Sequence, residues 1–170
     1  MIKASYSQGS ISSLSQEAFT LFERSSFGEK LDNKVVYASV EALFLLSENK
    51  LELISKGKKL DFESLLNNLK SKDKKIDIKF RVFQNLRKKG YIVKTALKFG
   101  AEFRVYDKGI KPGHDHAKWI VFTSKENSSL KWHDFASINR VAHSTKKKLL
   151  MAVVDEEGDV SFYEVSWLKP

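Results

Sequence analysis

The sequence predicts an α+β fold: a small N-terminal α+β domain over residues 1–72, then a C-terminal domain over residues 73–170 in which helices flank a mixed sheet. Three observations predict it. Stretches of helical and of strand periodicity alternate along the whole chain. A polar run without aromatics, Lys70-Ser71-Lys72-Asp73-Lys74-Lys75, interrupts them near the middle and reads as an interdomain linker. Of the 170 residues, 42% are hydrophobic and 12% aromatic, enough for packed cores.

Residues 1 to about 14 read as short strands or loop. Ser15 then offers an N-cap to a helix over 16–24, and Ser39 to a second helix, VEALFLLSENK, in which Val40, Leu43, Phe44 and Leu46 recur at helical spacing. Residues 50–54 alternate like a strand, and Asp61-Phe62-Glu63-Ser64 opens a third helix toward Leu69. Nothing in this first part carries chemistry, so it reads as structural. After the linker, IDIKFRVFQNLRKKG sets Ile76, Phe80, Phe83 and Leu86 on one side of a helix that Gly90 stops. Strands follow at 91–95, 101–106 and 117–123, then a helix from about 129 to 143. LLMAVVDEEGDVSFYEV closes the chain as two strands around a turn at 155–159.

The formal net charge is +9, and residues 70–98 alone hold eleven Lys or Arg against Asp73 and Asp77, which accounts for all of it. Clustered cations of this kind suit a polyanion, because they release condensed counterions from a phosphate backbone. A merely solvated, lysine-rich surface is the plainer alternative. The absence of cysteine removes disulfides, thiolate metal sites and cysteine nucleophiles. MIKASYSQ has no apolar signal region, and no purely apolar run, neither 42–46 nor 149–154, is long enough to span a bilayer. The expectation is a cytoplasmic protein with no membrane partner.

No Walker loop, dinucleotide fingerprint, HExxH or serine elbow is present. His114-Asp115-His116 is a weak metal set, since no further ligand cluster follows at a suitable spacing, and no metal or other cofactor is expected. Metal-free RNA cleavage stays chemically open. The ribose 2′-hydroxyl is an internal nucleophile that needs a base, an acid for the leaving 5′-oxygen and a cation beside the phosphorane. Tyr, His and Lys suit those roles, with tyrosine needing a nearby cation to favour the phenolate because its ordinary pKa is near 10. Tyr106 ends one expected strand, His116 opens the next, and Lys147 precedes the apolar run that starts at Leu149. Each has a duller role as well: half-buried strand aromatic, loop histidine, solvated helix end.

The stretches KKGYIVKTALKFGAEFRVYDKG, HAKWIV and INRVAHSTKKKLLMAVVDEEGDVSFYEVSWLKP resemble the archaeal tRNA-intron endonuclease family. The intervals agree too, with His116 ten residues after Tyr106 and Lys147 thirty-one after His116. A weaker similarity at SVEALFLLSENKLEL extends it into the first half. The resemblance implies a tRNA-splicing endonuclease that cuts precursor tRNA at a bulge-helix-bulge, without metal, leaving a 2′,3′-cyclic phosphate and a 5′-hydroxyl. Carried over, Tyr106 is the general base, His116 the general acid, Lys147 the transition-state cation and Arg140 an RNA contact. The acidic turn with Asp155, Glu156, Glu157 and Asp159 docks on a neighbouring subunit. Self-association as a homotetramer follows, or a heterotetramer with a structural subunit. The rival class is a non-catalytic, winged-helix-like nucleic-acid binding module built from helix 76–89 and the two strands after it.

Overall fold

The computed structural model describes every residue from Met1 to Pro170 and divides into two units, Met1–Phe80 and Arg81–Pro170. The first unit contains β1 (Ile2–Ser7), β2 (Ser10–Ser13), α1 (Gln16–Ser25), β3 (Glu29–Leu31), β4 (Lys34–Tyr37), α2 (Ser39–Ser47), β5 (Leu51–Ser55), β6 (Lys58–Leu60) and α3 (Phe62–Lys70). Its sheet runs β3-β4-β2-β1-β5-β6, antiparallel except where β1 lies parallel to β5. Alternation sends Ile2 and Ala4, Val35 and Tyr37, and Leu51 and Leu53 into the core, where α2 adds Leu43 and Leu45 and α3 adds Leu65.

Local chemistry explains the helix starts. The Ser15 hydroxyl accepts the Ala18 N–H, and the Asp61 carboxylate accepts the Ser64 N–H at 2.9 Å. The second helix departs from expectation, because Ser39 lies inside it and Ala38 takes the N-cap position. The missing side-chain cap is offset by buried Glu41, whose carboxylate accepts the N–H groups of Ala38 (2.9 Å) and Gly28 (3.1 Å). That helix also stops at Ser47 rather than reaching Lys50. Asn49 turns left-handed, and the Lys50 N–H returns to the Leu45 carbonyl at 2.8 Å.

The polar run expected as a linker is a tight turn. Lys72 and Asp73 donate to the Leu69 carbonyl, and the Asp73 carboxylate accepts the Lys75 N–H and the Lys79 ammonium, the latter at 2.7 Å. Helix α4 (Ile76–Lys88) follows, and the division between the units falls within it.

The second unit holds β7 (Ile92–Ala96), a single 3-10 turn at Leu97–Phe99, β8 (Ala101–Tyr106), β9 (Trp119–Lys125), α5 (Trp132–Ser144), β10 (Lys148–Val154) and β11 (Val160–Val165). The order is β11-β10-β9-β8-β7, with β9 and β10 parallel and the other pairs antiparallel. This is the expected mixed sheet. Phe83 of α4 packs on Phe103 of β8 with ring centroids 5.9 Å apart, and both rings are fully buried. Two of the unit's elements start two or more residues late: β9 begins at Trp119 rather than Ala117, and α5 at Trp132 rather than near Ser129. No helix is long and apolar enough to cross a membrane.

Candidate active site

Strand direction brings three separate segments to one end of the second sheet. Because β8 is antiparallel to β9 and β9 is parallel to β10, the last residue of β8 and the first residues of β9 and β10 lie side by side. The Lys118 N–H donates to the Val105 carbonyl at 2.8 Å, and the Lys148 N–H to the Lys118 carbonyl at 3.0 Å. Tyr106 and Lys147 are the immediate neighbours of the outer two links. His116 lies two residues before the middle one, in the loop ahead of β9 rather than at the mouth of that strand as expected.

Tyr106 is only 5% exposed and packs with Ile92, Ala117 and Ile110. The loop after it is clipped at its base, where the Asp107 carboxylate accepts the Lys118 ammonium at 3.1 Å and the Lys108 N–H at 2.9 Å. These bonds, that from Lys118 foremost, hold the Asp107 carboxyl below its ordinary range. Farther along, the Asp115 carboxylate accepts the His116 N–H at 2.6 Å. Buried Ala117 anchors the returning chain and leaves His116 exposed.

Lys147 is set by the end of α5. Its N–H returns to the Ala142 carbonyl at 2.9 Å, its ammonium donates to the Thr145 carbonyl at 3.0 Å, and Nζ sits 5.6 Å from the centre of the Phe99 ring. On the opposite side of that strand start, Glu164 accepts the Lys148 ammonium at 2.7 Å and the Trp119 indole N–H at 2.8 Å.

Tyr106, His116 and Lys147 line one cleft of about 430 Å³. Lys98, Phe99, Arg104, His114 and Asp115 line it as well, so three side chains of fixed positive charge face one carboxylate. A cationic cleft containing a phenol, an imidazole and an ammonium has the parts for proton transfer at a phosphodiester. No three His, Cys, Asp or Glu residues come together as a metal site. Arg140 stays outside the cleft, exposed on α5 with Nη2 donating to the Ser137 hydroxyl at 3.2 Å. The acidic turn joins β10 to β11 at the far end of those strands. Sequence reasoning passed over Arg104, although the two-residue period of β8 sets it on the face of Tyr106.

Two family profiles match the chain: the "tRNA intron endonuclease, catalytic C-terminal domain" over residues 76–162 and the "tRNA intron endonuclease, N-terminal domain" over residues 3–66. Relatives named tRNA-splicing endonuclease match across most of its length. The protein of Thermococcus onnurineus (strain NA1) is 40% identical over 149 residues, covering 88% of this chain and 85% of the relative. That of Nanoarchaeum equitans (strain Kin4-M) is 42% identical over 137 residues, covering 77% and 88%. That of Methanothermobacter thermautotrophicus (strain Delta H) is 37% identical over 150 residues, covering 88% and 87%.

Proposed function

The chain belongs to the tRNA intron endonuclease family, and from that premise we propose that it cuts precursor tRNA at intron-exon junctions within a bulge-helix-bulge, by metal-independent transesterification. Tyr106 takes the proton of the ribose 2′-hydroxyl as that oxygen attacks the adjacent phosphorus. The bond from phosphorus to the 5′-oxygen breaks, and His116 donates the proton that the leaving oxygen needs. Lys147 offsets the negative charge that builds on the non-bridging oxygens. The products are a 2′,3′-cyclic phosphate and a 5′-hydroxyl, with no atom drawn from water or a cofactor.

The observation that carries this reading is the convergence of Tyr106, His116 and Lys147, from three segments of chain, on one cleft. Residues 73–170 carry the chemistry in the cytoplasm, residues 1–72 brace the assembly, and Arg140 contacts RNA outside the cleft. The assembly is a homotetramer, or a heterotetramer with a structural subunit, in which the acidic turn at 155–159 docks on a neighbour.

The test is incubation with an end-labelled bulge-helix-bulge RNA in excess EDTA, followed by end analysis. The expected result is cutting within the bulges that leaves a cyclic phosphate and a 5′-hydroxyl. Binding without cutting by protein that light scattering shows to be a tetramer, or cutting that requires an added divalent ion, would overturn it.

A further inference from the structure

Arg104 stands two residues before Tyr106 on the same face of β8, about 7 Å back along the strand. It lines the same cleft, yet its Nε is wholly buried and meets no acceptor. No carboxylate of the chain pairs with its guanidinium. A buried N–H without a partner destabilises the empty protein, and a valine or threonine would fill a strand position without that penalty. What an arginine adds here is the set of outward donors that a planar guanidinium presents to an oxyanion.

The other cations sharpen the choice of anion. The ammonium groups of Lys98 and Lys147 both lie against the Phe99 ring, at 5.2 and 5.6 Å from its centre. The one carboxylate in the cleft, Asp115, is already engaged by the His116 N–H. A phosphodiester carries one negative charge, and Lys147 answers it at the reacting centre. Lys98 and Arg104 remain, on the side of the cleft toward the start of β8.

We propose that Arg104, assisted by Lys98, forms a second phosphate subsite, which holds the RNA phosphate next to the one being cut and draws the backbone along β8. This rests on the reading of the cleft as the place where RNA is cleaved. Arg104 thus orients the strand, and a two-point grip on neighbouring phosphates fixes the attacking 2′-hydroxyl in line with its leaving group.

The experiment measures binding of a bulge-helix-bulge RNA carrying 2′-deoxynucleotides at both scissile positions, which binds without being cut, over a series of KCl concentrations. Arg104→Gln is expected to weaken binding about ten- to a hundredfold. It should also lower the slope of log K against log salt by about 0.7–0.9, the value of one phosphate contact. Arg104→Lys should restore the slope without the full affinity, because it keeps the charge and loses the fork. The melting temperature of Arg104→Gln should equal or exceed that of the parent protein. If Arg104→Gln does not fold, Lys98→Gln at an exposed residue takes its place and should lower the slope likewise.

An unchanged slope overturns the subsite, whether or not the melting temperature drops. Cleavage of the unmodified RNA keeps the two ideas separate. If the parent protein cuts it and His116→Ala does not, an unchanged slope sinks the subsite alone. If the parent protein, assembled as a tetramer, does not cut it, the reading of the cleft fails and the subsite with it.

Discussion

The backbone N–H of Lys147 donates to the carbonyl of Ala142 at 2.9 Å, and this bond ties the end of α5 to the candidate site. It is half of a Schellman closure. The other half is the Lys146 N–H on the His143 carbonyl at 3.0 Å, and together they force Lys146 to a φ of +54°. Glycine is the usual residue there, because a Cβ in the left-handed region costs about 1–2 kcal/mol. Lys146→Gly should therefore stabilise the protein by about 1 kcal/mol, after allowance for the freer unfolded chain. The measurement is a rise in urea midpoint at constant m-value, with the cleavage rate unchanged because Lys147 keeps its anchor.

His116 is exposed in its loop and packs into no core, so His116→Ala removes an imidazole and little else. On the proposed mechanism, loss of this general acid should slow cleavage about 10²- to 10⁴-fold, while RNA affinity stays with the basic residues. On the same mechanism, Lys147→Ala should cost about 10²- to 10³-fold by removing the cation proposed to stand beside the phosphorane. Single-turnover rates and filter binding on the same preparations check both. A fall in affinity that matches the fall in rate would count against the roles assigned.

Acid should loosen the turn between α3 and α4. Burial pushes the Asp73 carboxyl up, but the hydrogen bond from the Lys79 ammonium and that from the Lys75 N–H outweigh it and leave its pKa below the ordinary value. A carboxyl lowered in the folded state contributes stability that is whole above its unfolded pKa, about 3.9. That contribution is lost as pH falls through the folded value. Asp73→Asn keeps an acceptor for the Lys75 N–H and loses the charge. It should therefore melt lower than the parent at pH 6 and lose less on going to pH 3. Parallel melting curves across that range would show that Asp73 contributes no such term.

Gly28 has a φ of +77°, and a Cβ there would overlap the Val35 side chain and stand 2.9 Å from the Val36 carbonyl oxygen. Gly57 has nearly the same φ, +76°, with nothing within 4 Å of a Cβ. Gly57→Ala thus isolates the backbone cost of about 1–2 kcal/mol, and Gly28→Ala adds crowding for a total of about 2–4 kcal/mol. Chemical denaturation of the two variants side by side reads the difference. Equal losses would mean that β4 yields to the added methyl.

The sequence revealed most where periodicity and burial agree. β8 runs over Ala101–Tyr106 as its alternation implies, and β10 and β11 flank the acidic turn. Long-range terms hid the rest. Residues 117–118 continue the apolar-polar alternation of β9, but there the chain is still returning from a loop clipped by Asp107 and Lys118. Ser39 looks like a cap because local sequence does not show that Glu41 reaches back to Ala38 and Gly28. The β3–β4 hairpin is rich in charge, with Glu29, Lys30, Asp32 and Lys34, and only Val35 and Tyr37 sink to the core. Tyr106, His116 and Lys147 were legible by type and interval, and their meeting in one cleft depends on β9 and β10 being parallel. Arg104 was not, because an unmet N–H is a property of its surroundings.

The acidic turn offers the last test, and its hydrogen bonds decide which residues to change. Asp155 holds the turn together: its carboxylate accepts the Asp159 N–H at 2.8 Å, and its own N–H donates to the Asp159 carbonyl at 3.1 Å. Arg81 covers Gly158, where a Cβ would come 3.1 Å from the guanidinium carbon. Reversing charge at Asp155 would thus break the turn and confuse folding with docking. The side chains of Glu156 and Glu157 are exposed. Glu156→Lys with Glu157→Lys keeps the turn and inverts what it shows a neighbour, so a docking role predicts a smaller mass by light scattering at an unchanged monomer fold by circular dichroism. Adding 1 M salt to the parent protein should shift its mass the same way if charge holds the contact, since the screening length then falls to about 3 Å. A variant that assembles like its parent would mean the turn is only a solvated hairpin tip.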